Sequence, residues 1–137
     1  ARRRKHRRRR EHEPAQAVPL EWPEGIHAAA LFSGEPASTA AALARPELPG
    51  EVLDEIAGAT VALLQVWGHG RPPLVLEALR ACERAFTSAS RRVPELNPPV
   101  VVELRTLIES TGCIARTSGA GGGDCILALS DEPALVG

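Results

Sequence analysis

The chain has 137 residues, enough for one domain, with 44% hydrophobic and 24% charged residues. This composition excludes a collagen-like or wholly disordered protein. The longest unbroken apolar runs, such as Ala28–Phe32, are far shorter than the ~20 residues of a membrane span. Residues 1–10 hold eight of the 16 basic residues, so the other 127 carry eight basic and 17 acidic residues, a net charge of −9. We therefore expect neither a nucleic-acid nor a membrane partner.

Residues 1–19 combine a run of arginines with prolines and predict a tail or linker without regular structure, followed by one domain over 20–137. The tail is either an arm for an anionic partner or a solvated linker, and the block of like charges favours the linker. The three cysteines have no C-x-x-C spacing, so we expect no disulfide framework and no metal site. A reducing cytoplasm is the location that these cysteines predict.

The first predicted element is a buried strand over 26–32, bounded by glycine and proline on both sides. Gly34–Pro36 predicts a turn. Ser38 or Thr39 can then cap a short helix over 40–44, which Pro46 ends.

Three longer helices follow, over about 51–67, about 74–89 and from Asn97 to Gly112. Each carries apolar residues at three- and four-residue steps, which predicts one buried face per helix. We expect the larger aromatic side chains to lie in the core: Phe32, Trp67 and Phe86.

The last predicted elements are an extended piece over 113–116, a glycine-rich loop over 118–124 and a buried strand over 126–130. The order of strand, helices, strand, loop and strand predicts an α+β sandwich in which helices cover one face of a small sheet.

The glycine-rich loop is the most informative stretch, because it has glycine at four of the five positions from 119 to 123. Such a backbone can approach a ligand closely and offer successive N–H groups to an anion. A P-loop is excluded because no lysine follows, and the dinucleotide fingerprint is excluded because Asp124 stands at its last glycine position. A flexible hairpin loop without a ligand is the alternative.

The block Ala115–Leu129 reads ARTSGAGGGDCILAL, and it resembles the third motif of the GHMP-type small-molecule kinases, most closely the phosphomevalonate kinase branch. The block Ala30–Thr39, ALFSGEPAST, resembles a second motif of that branch. The resemblance covers about residues 20–132 and implies a ferredoxin-like C-terminal lobe with a small antiparallel sheet covered by helices. It also implies an ATP-dependent phosphotransferase of the mevalonate (isoprenoid) pathway that converts 5-phosphomevalonate to 5-diphosphomevalonate.

The resemblance further implies that ATP and Mg²⁺ are bound mainly by an N-terminal lobe, which carries the catalytic residues and a Gly-Leu-Gly-Ser-Ser loop. This chain has no such loop, and its single lysine lies in the basic tail. We therefore expect a lobe that is incomplete at both ends, that has its own N-terminal lobe as a partner and that is inactive alone. Arg116 stands where the family has lysine, Thr117 where it has proline and Ile126 where it has glycine.

The candidate ligands of the phosphorylated substrate lie in or beside the two motif blocks, and each has a structural alternative. Arg116 pairs with a substrate phosphate or with an acidic neighbour. Ser118 donates its hydroxyl to a phosphate or forms a turn. The complete set of predicted substrate-binding residues is Arg116, Ser118, Gly119, Ala120, Gly121, Gly122, Gly123, Asp124, Ser38 and Thr39.

Two other functions remain open from the sequence. One is a binding or regulatory module that keeps the GHMP fold without catalysis. The other is a GHMP kinase for a different small acceptor.

Overall fold

A computed structural model describes residues 17–34, 36, 44, 46–118 and 123–137, and these residues contain three strands and three helices. In chain order they are β1 (His27–Phe32), α1 (Gly50–Trp67), α2 (Pro72–Arg92), α3 (Pro99–Ser110), β2 (Ile114–Thr117) and β3 (Cys125–Ser130). Two 3-10 turns, Pro94–Leu96 and Pro133–Leu135, complete the fold. The predicted order and the α+β class are confirmed. Residues 1–16 and all but the last residue of the helix predicted over 40–44 lie outside the described residues.

The ends of the helices follow from proline, glycine and charge. Helix α2 begins with two prolines, which have no backbone N–H and so leave no unpaired donor in the first turn. Its last turn carries Arg91 and Arg92, whose positive charges lie at the negative end of the helix dipole. Helix α3 also begins at a proline. It is followed by Gly112 at φ 89°, the left-handed conformation in which helices commonly end.

The turn between α1 and α2 depends on a close approach at Gly70. Its N–H donates to the Val66 carbonyl oxygen over 2.7 Å. A Cβ atom at Gly70 would lie 2.7 Å from that same oxygen, which is closer than a carbon atom can come without a shift of the backbone. Glycine at this position therefore allows α2 to fold back against α1.

The sheet has the order β1–β3–β2, and both neighbours run antiparallel to the central strand β3. The register pairs Phe32 with Cys125 on one side of β3 and Thr117 with Ile126 on the other. The end of β1, the end of β2 and the start of β3 therefore meet at one end of the sheet.

The two faces of the sheet pack against different helices. Ile114 and Leu129 point to one face and join the core formed by α1 and α2, which includes Val75 and Leu79. Their neighbours point to the opposite face, because side chains alternate along a strand. There Ala115, Ile126 and Ala128 form a second core with Val101 and Ile108 of α3.

Two expectations about burial are wrong. The helices cover both faces of the sheet, not one. Phe32 is not a core residue, since 78% of its surface is exposed. Phe32 is the last residue of the edge strand β1, and its side chain lies on the same face as those of Ala28 and Ala30, which are also exposed. On the sheet face that packs against α2, the part formed by β1 is therefore not covered by a helix. Trp67 and Phe86, the other two aromatic residues expected in the core, are half-buried.

Candidate functional site

The sheet register brings the described parts of the two motif blocks to the same end of the sheet. Ser33 donates its backbone N–H to the carbonyl oxygen of Asp124 over 2.7 Å, and Ser118 donates to that of Cys125 over 3.3 Å. These bonds continue the ladders of β3 beyond β1 and β2. The chain leaving β1, the entry to the glycine-rich loop and its exit are therefore held side by side.

The exit of the loop has an unusual backbone. Gly123 has φ 138° and Asp124 has φ 64°, and Asp124 is the single described residue other than glycine with a positive φ. Aspartate tolerates the left-handed conformation better than most residues. The carboxylate of Asp124 is exposed and makes no hydrogen bond or ion pair with a described residue.

Beside the entry to the loop, Glu83 joins two arginines from different elements. Its Oε2 accepts a hydrogen bond from Nη2 of Arg105 over 2.6 Å, and its Oε1 accepts one from Nη1 of Arg116 over 2.9 Å. Arg105 also donates from Nη1 to Oγ1 of Thr117 over 2.8 Å. We call Glu83, Arg105, Arg116 and Thr117 the arginine–glutamate cluster.

The cluster wraps around the edge of β2. Arg116 lies on the sheet face of α2, whereas Thr117 lies on the face of α3. Arg105 extends from α3 and contacts both Thr117 on β2 and Glu83 on α2. Its guanidinium lies 5.4 Å from the centre of the Phe86 ring. The side chains of Arg105 and Glu83 are 7% and 10% exposed, so this is a buried ion pair.

A cavity of about 170 Å³ adjoins the cluster. Arg116, whose side chain is 34% exposed, borders this cavity. The remaining wall consists of Glu83 and Thr117 from the cluster and of Ile56, Thr60, Cys82 and Phe86. We call it the cluster cavity.

Cys82 stands in the wall of the cluster cavity as a free thiol. Burial raises the pKa of this thiol, Arg116 opposes that rise, and the Glu83 carboxylate adds to it. Because burial is the largest of these effects, the thiol is neutral at physiological pH. Cys82 is therefore a poor nucleophile and adds no negative charge beside Arg116.

A larger cleft of about 710 Å³ lies on the other side of Glu83, between α2 and α3. Two of its four arginines, Arg80 and Arg84, are matched by Glu77, at 3.8 and 3.3 Å. The cleft also contains Glu55 and Glu109. Positive and negative charges are therefore mixed along its walls.

The structure describes four of the predicted substrate-binding residues, and the other six lie outside the described residues. The structure places Arg116, Ser118, Gly123 and Asp124 at the stem of the loop. The salt bridge that the sequence left open for Arg116 is present. The other predicted site residues lie outside the described residues: Gly119, Ala120, Gly121, Gly122, Ser38 and Thr39.

Sequence reasoning missed Glu83 and Arg105. Both carried a signal, since each is a charged residue on the buried face of its helix. Glu83 follows Leu79 by four positions, and Arg105 lies between Val101 and Ile108 at helical spacing. Two opposite charges at such positions indicate a buried ion pair.

Within the described residues, no three His, Cys, Asp or Glu side chains are grouped so that they could hold a metal ion. No helix in the same part of the chain has the length and apolar character to cross a membrane.

Comparison with known proteins gives one match. A family model described as "GHMP kinases C terminal" matches residues 59–136, more than half of the chain. This range contains α2, α3, the cluster arginines and the whole glycine-rich loop. No curated protein and no solved structure matches the chain.

Proposed function

The chain belongs to the GHMP kinase C-terminal family, and from this premise we propose that it is the acceptor-side lobe of an ATP-dependent phosphotransferase acting on 5-phosphomevalonate. The observation that carries the proposal is the family match over the glycine-rich loop and its stem. The mevalonate-pathway acceptor is the finer part of the proposal, and it rests on the sequence blocks Ala30–Thr39 and Ala115–Leu129.

The reaction would transfer the γ-phosphoryl group of ATP to the phosphate of the acceptor. A bond forms between the γ-phosphorus and an acceptor phosphate oxygen, while the bond to the departing ADP oxygen breaks. Catalysis of such a transfer is mostly positioning and stabilisation of negative charge. The residues of this chain would bind and orient the acceptor, whereas ATP and Mg²⁺ would be held mainly by an N-terminal lobe.

The stem of the loop supports an acceptor-binding role. Arg116 and the Ser118 hydroxyl lie at the entry of the loop, and Gly123 and Asp124 lie at its exit, next to the end of β1. The ladder bonds of Ser33 and Ser118 hold the two ends of the loop in fixed register. Because both ends are fixed, binding of a phosphate at the loop would not have to order its stem.

The decisive experiment measures ADP release from ATP and Mg²⁺ with 5-phosphomevalonate. It compares this chain with a chain extended to the full reading frame. We expect activity in the extended protein alone, and we expect Arg116→Gln to raise its KM for the acceptor more than tenfold (~1.4 kcal/mol). Arg84→Gln, an exposed arginine on α2, is the matched control and should leave KM unchanged.

A panel of acceptors tests the substrate. Activity with another small alcohol or phosphate ester, and none with 5-phosphomevalonate, would keep the GHMP kinase function and overturn the mevalonate-pathway acceptor. A folded extended protein that phosphorylates no acceptor would overturn the enzyme proposal in favour of a binding module.

A further inference from the structure

The arginine–glutamate cluster has an unequal balance of charge. Two guanidinium groups share one carboxylate, and the Cys82 thiol beside them is neutral. One positive charge is therefore left over next to the cluster cavity. Arg105 is almost fully buried and its Nη groups are used by Glu83 and Thr117, so the surplus belongs to Arg116.

Arg116 also has hydrogen-bonding capacity to spare. A guanidinium carries five N–H donors. Glu83 accepts from Nη1, and the Cys82 thiol takes a second hydrogen bond from the same side chain. The remaining donors have no hydrogen-bond partner among the described residues, and Arg116 is part of the wall of the cluster cavity. The Thr117 hydroxyl accepts from Arg105, so its own hydrogen remains available as a donor.

We propose that the cluster cavity is a binding site for one oxyanion group, a phosphate or a carboxylate, of a small ligand. Arg116 binds the group through its free donors, Thr117 donates its hydroxyl, and Glu83 and Arg105 act as positioning residues that hold both in place. The proposal rests on the proposed function for one point, that the ligand is the phosphorylated acceptor. The oxyanion site itself requires no catalysis.

Size and position agree with this assignment. A cavity of about 170 Å³ accommodates one such group and not a nucleotide. Thr60 and Ile56 of α1 form the wall opposite β2, and Thr60 is exposed at its rim. The larger cleft is the weaker candidate because Glu77 already matches two of its arginines, Arg80 and Arg84.

Nuclear magnetic resonance titration of the full 137-residue chain with inorganic phosphate tests the site, and a parallel titration with acetate separates phosphate from carboxylate. We expect saturable shifts of the Arg116 Nε–H signal and of the Thr60 and Thr117 amides. Arg116→Gln should weaken binding at least ~10-fold, because the bidentate charged donor is lost. Arg84→Gln is the matched control and should bind like the wild type.

A change in anion affinity on substitution of Glu83 tests whether this residue acts through its charge. Glu83→Gln should tighten anion binding several-fold, since it removes the competing negative charge, whereas damage to a merely structural residue would weaken it. A second variant keeps the test independent of the folding of Glu83→Gln. Thr60→Glu places a negative charge at the exposed rim of the cavity and leaves the four cluster residues unchanged. It should weaken binding several-fold, while Val61→Glu, one residue along α1, should change binding less.

Three outcomes would overturn the oxyanion site: no saturable shift at Arg116, equal weakening by Arg116→Gln and Arg84→Gln, or unchanged binding in Thr60→Glu. Shifts confined to the amides of Ser118, Gly123 and Asp124 that persist in Arg116→Gln would also overturn it, and would leave the proposed function standing. Anion binding at Arg116 in a protein that phosphorylates no acceptor would retain the site and overturn the proposed function.

Discussion

Nη2 of Arg105 lies 2.6 Å from Oε2 of Glu83, and this one contact joins α2 to α3 around the edge of β2. Both side chains are at least nine-tenths buried. The two helices pack on opposite faces of the sheet, so the ion pair bridges the two hydrophobic cores.

Removal of Glu83 should therefore cost far more stability than removal of an exposed glutamate on the same helix. Glu83→Ala leaves the buried Arg105 without a counter-charge, which costs ~3–5 kcal/mol. Glu77→Ala breaks two surface ion pairs with arginines that are 48% and 64% exposed, which costs below ~1 kcal/mol. Urea denaturation of both variants measures the difference. Equal losses of stability would show that the buried pair has no special role.

The Cys82 thiol should react only at high pH. Burial raises its pKa, and Arg116 partly offsets the rise by stabilising the thiolate. Arg116→Gln removes this offset, so the pKa of Cys82 should rise further and alkylation at a given pH should slow. The pH profile of iodoacetamide labelling, read at Cys82 by mass spectrometry, measures the pKa. Faster labelling in Arg116→Gln at unchanged stability would contradict the assigned effect of Arg116.

Two glycines in neighbouring parts of the helical hairpin should respond to alanine in opposite ways. At Gly70 a Cβ atom would lie 2.7 Å from the Val66 carbonyl oxygen, so Gly70→Ala should destabilise the fold by at least ~1 kcal/mol. Gly58 lies within α1 with open space around it. Gly58→Ala should stabilise by ~0.5–1 kcal/mol, because alanine is the better helix former. Thermal melts of the two variants measure whether each is more or less stable than the wild type. A Gly70→Ala protein as stable as the wild type would contradict the close approach.

The two tryptophans attach the segment before β1 to the end of α1. Their rings meet edge to face with centres 5.6 Å apart, and Nε1 of Trp67 donates to the carbonyl oxygen of Glu21 over 2.8 Å. Trp67→Phe removes that hydrogen bond at a cost of ~0.5–1.5 kcal/mol. The fluorescence of the remaining Trp22 should shift to the red as its ring gains water contact. An unchanged emission maximum would show that Trp22 is held by other contacts.

Periodicity and breakers in the sequence predicted the helices and strands well. The structure extends the second predicted helix, 74–89, to Pro72–Arg92, and the two strands predicted on either side of the glycine-rich segment are present as β2 and β3. Which side chain is buried was harder to predict. On α3 the apolar Leu107 is 62% exposed, whereas the charged Arg105 is buried. Burial depends on which neighbour covers a face, and a single helix does not contain that information.

The candidate site likewise combines a feature that the sequence predicts with one that it does not. The glycine-rich loop could be recognised because its residues are contiguous in the sequence. The cluster joins Glu83 to residues 22 and 33 positions away, and its geometry depends on the sheet register that brings β2 between two helices. Glu83 and Arg105 could be recognised as charged residues on apolar helix faces. No local sequence pattern shows that these two residues form an ion pair with each other.

The strand order has a consequence for folding. β2 and β3 are neighbours in sequence and can form a hairpin early, whereas the residues of β1 pair with residues 93 to 103 positions further along the chain. Contacts of such long range form slowly because the intervening chain must be ordered first. During synthesis β1 leaves the ribosome before β3, and it lacks this partner until β3 follows. Its alanines and Phe32 are then open to association with other nascent chains, so we expect chaperones or low temperature to raise the soluble yield.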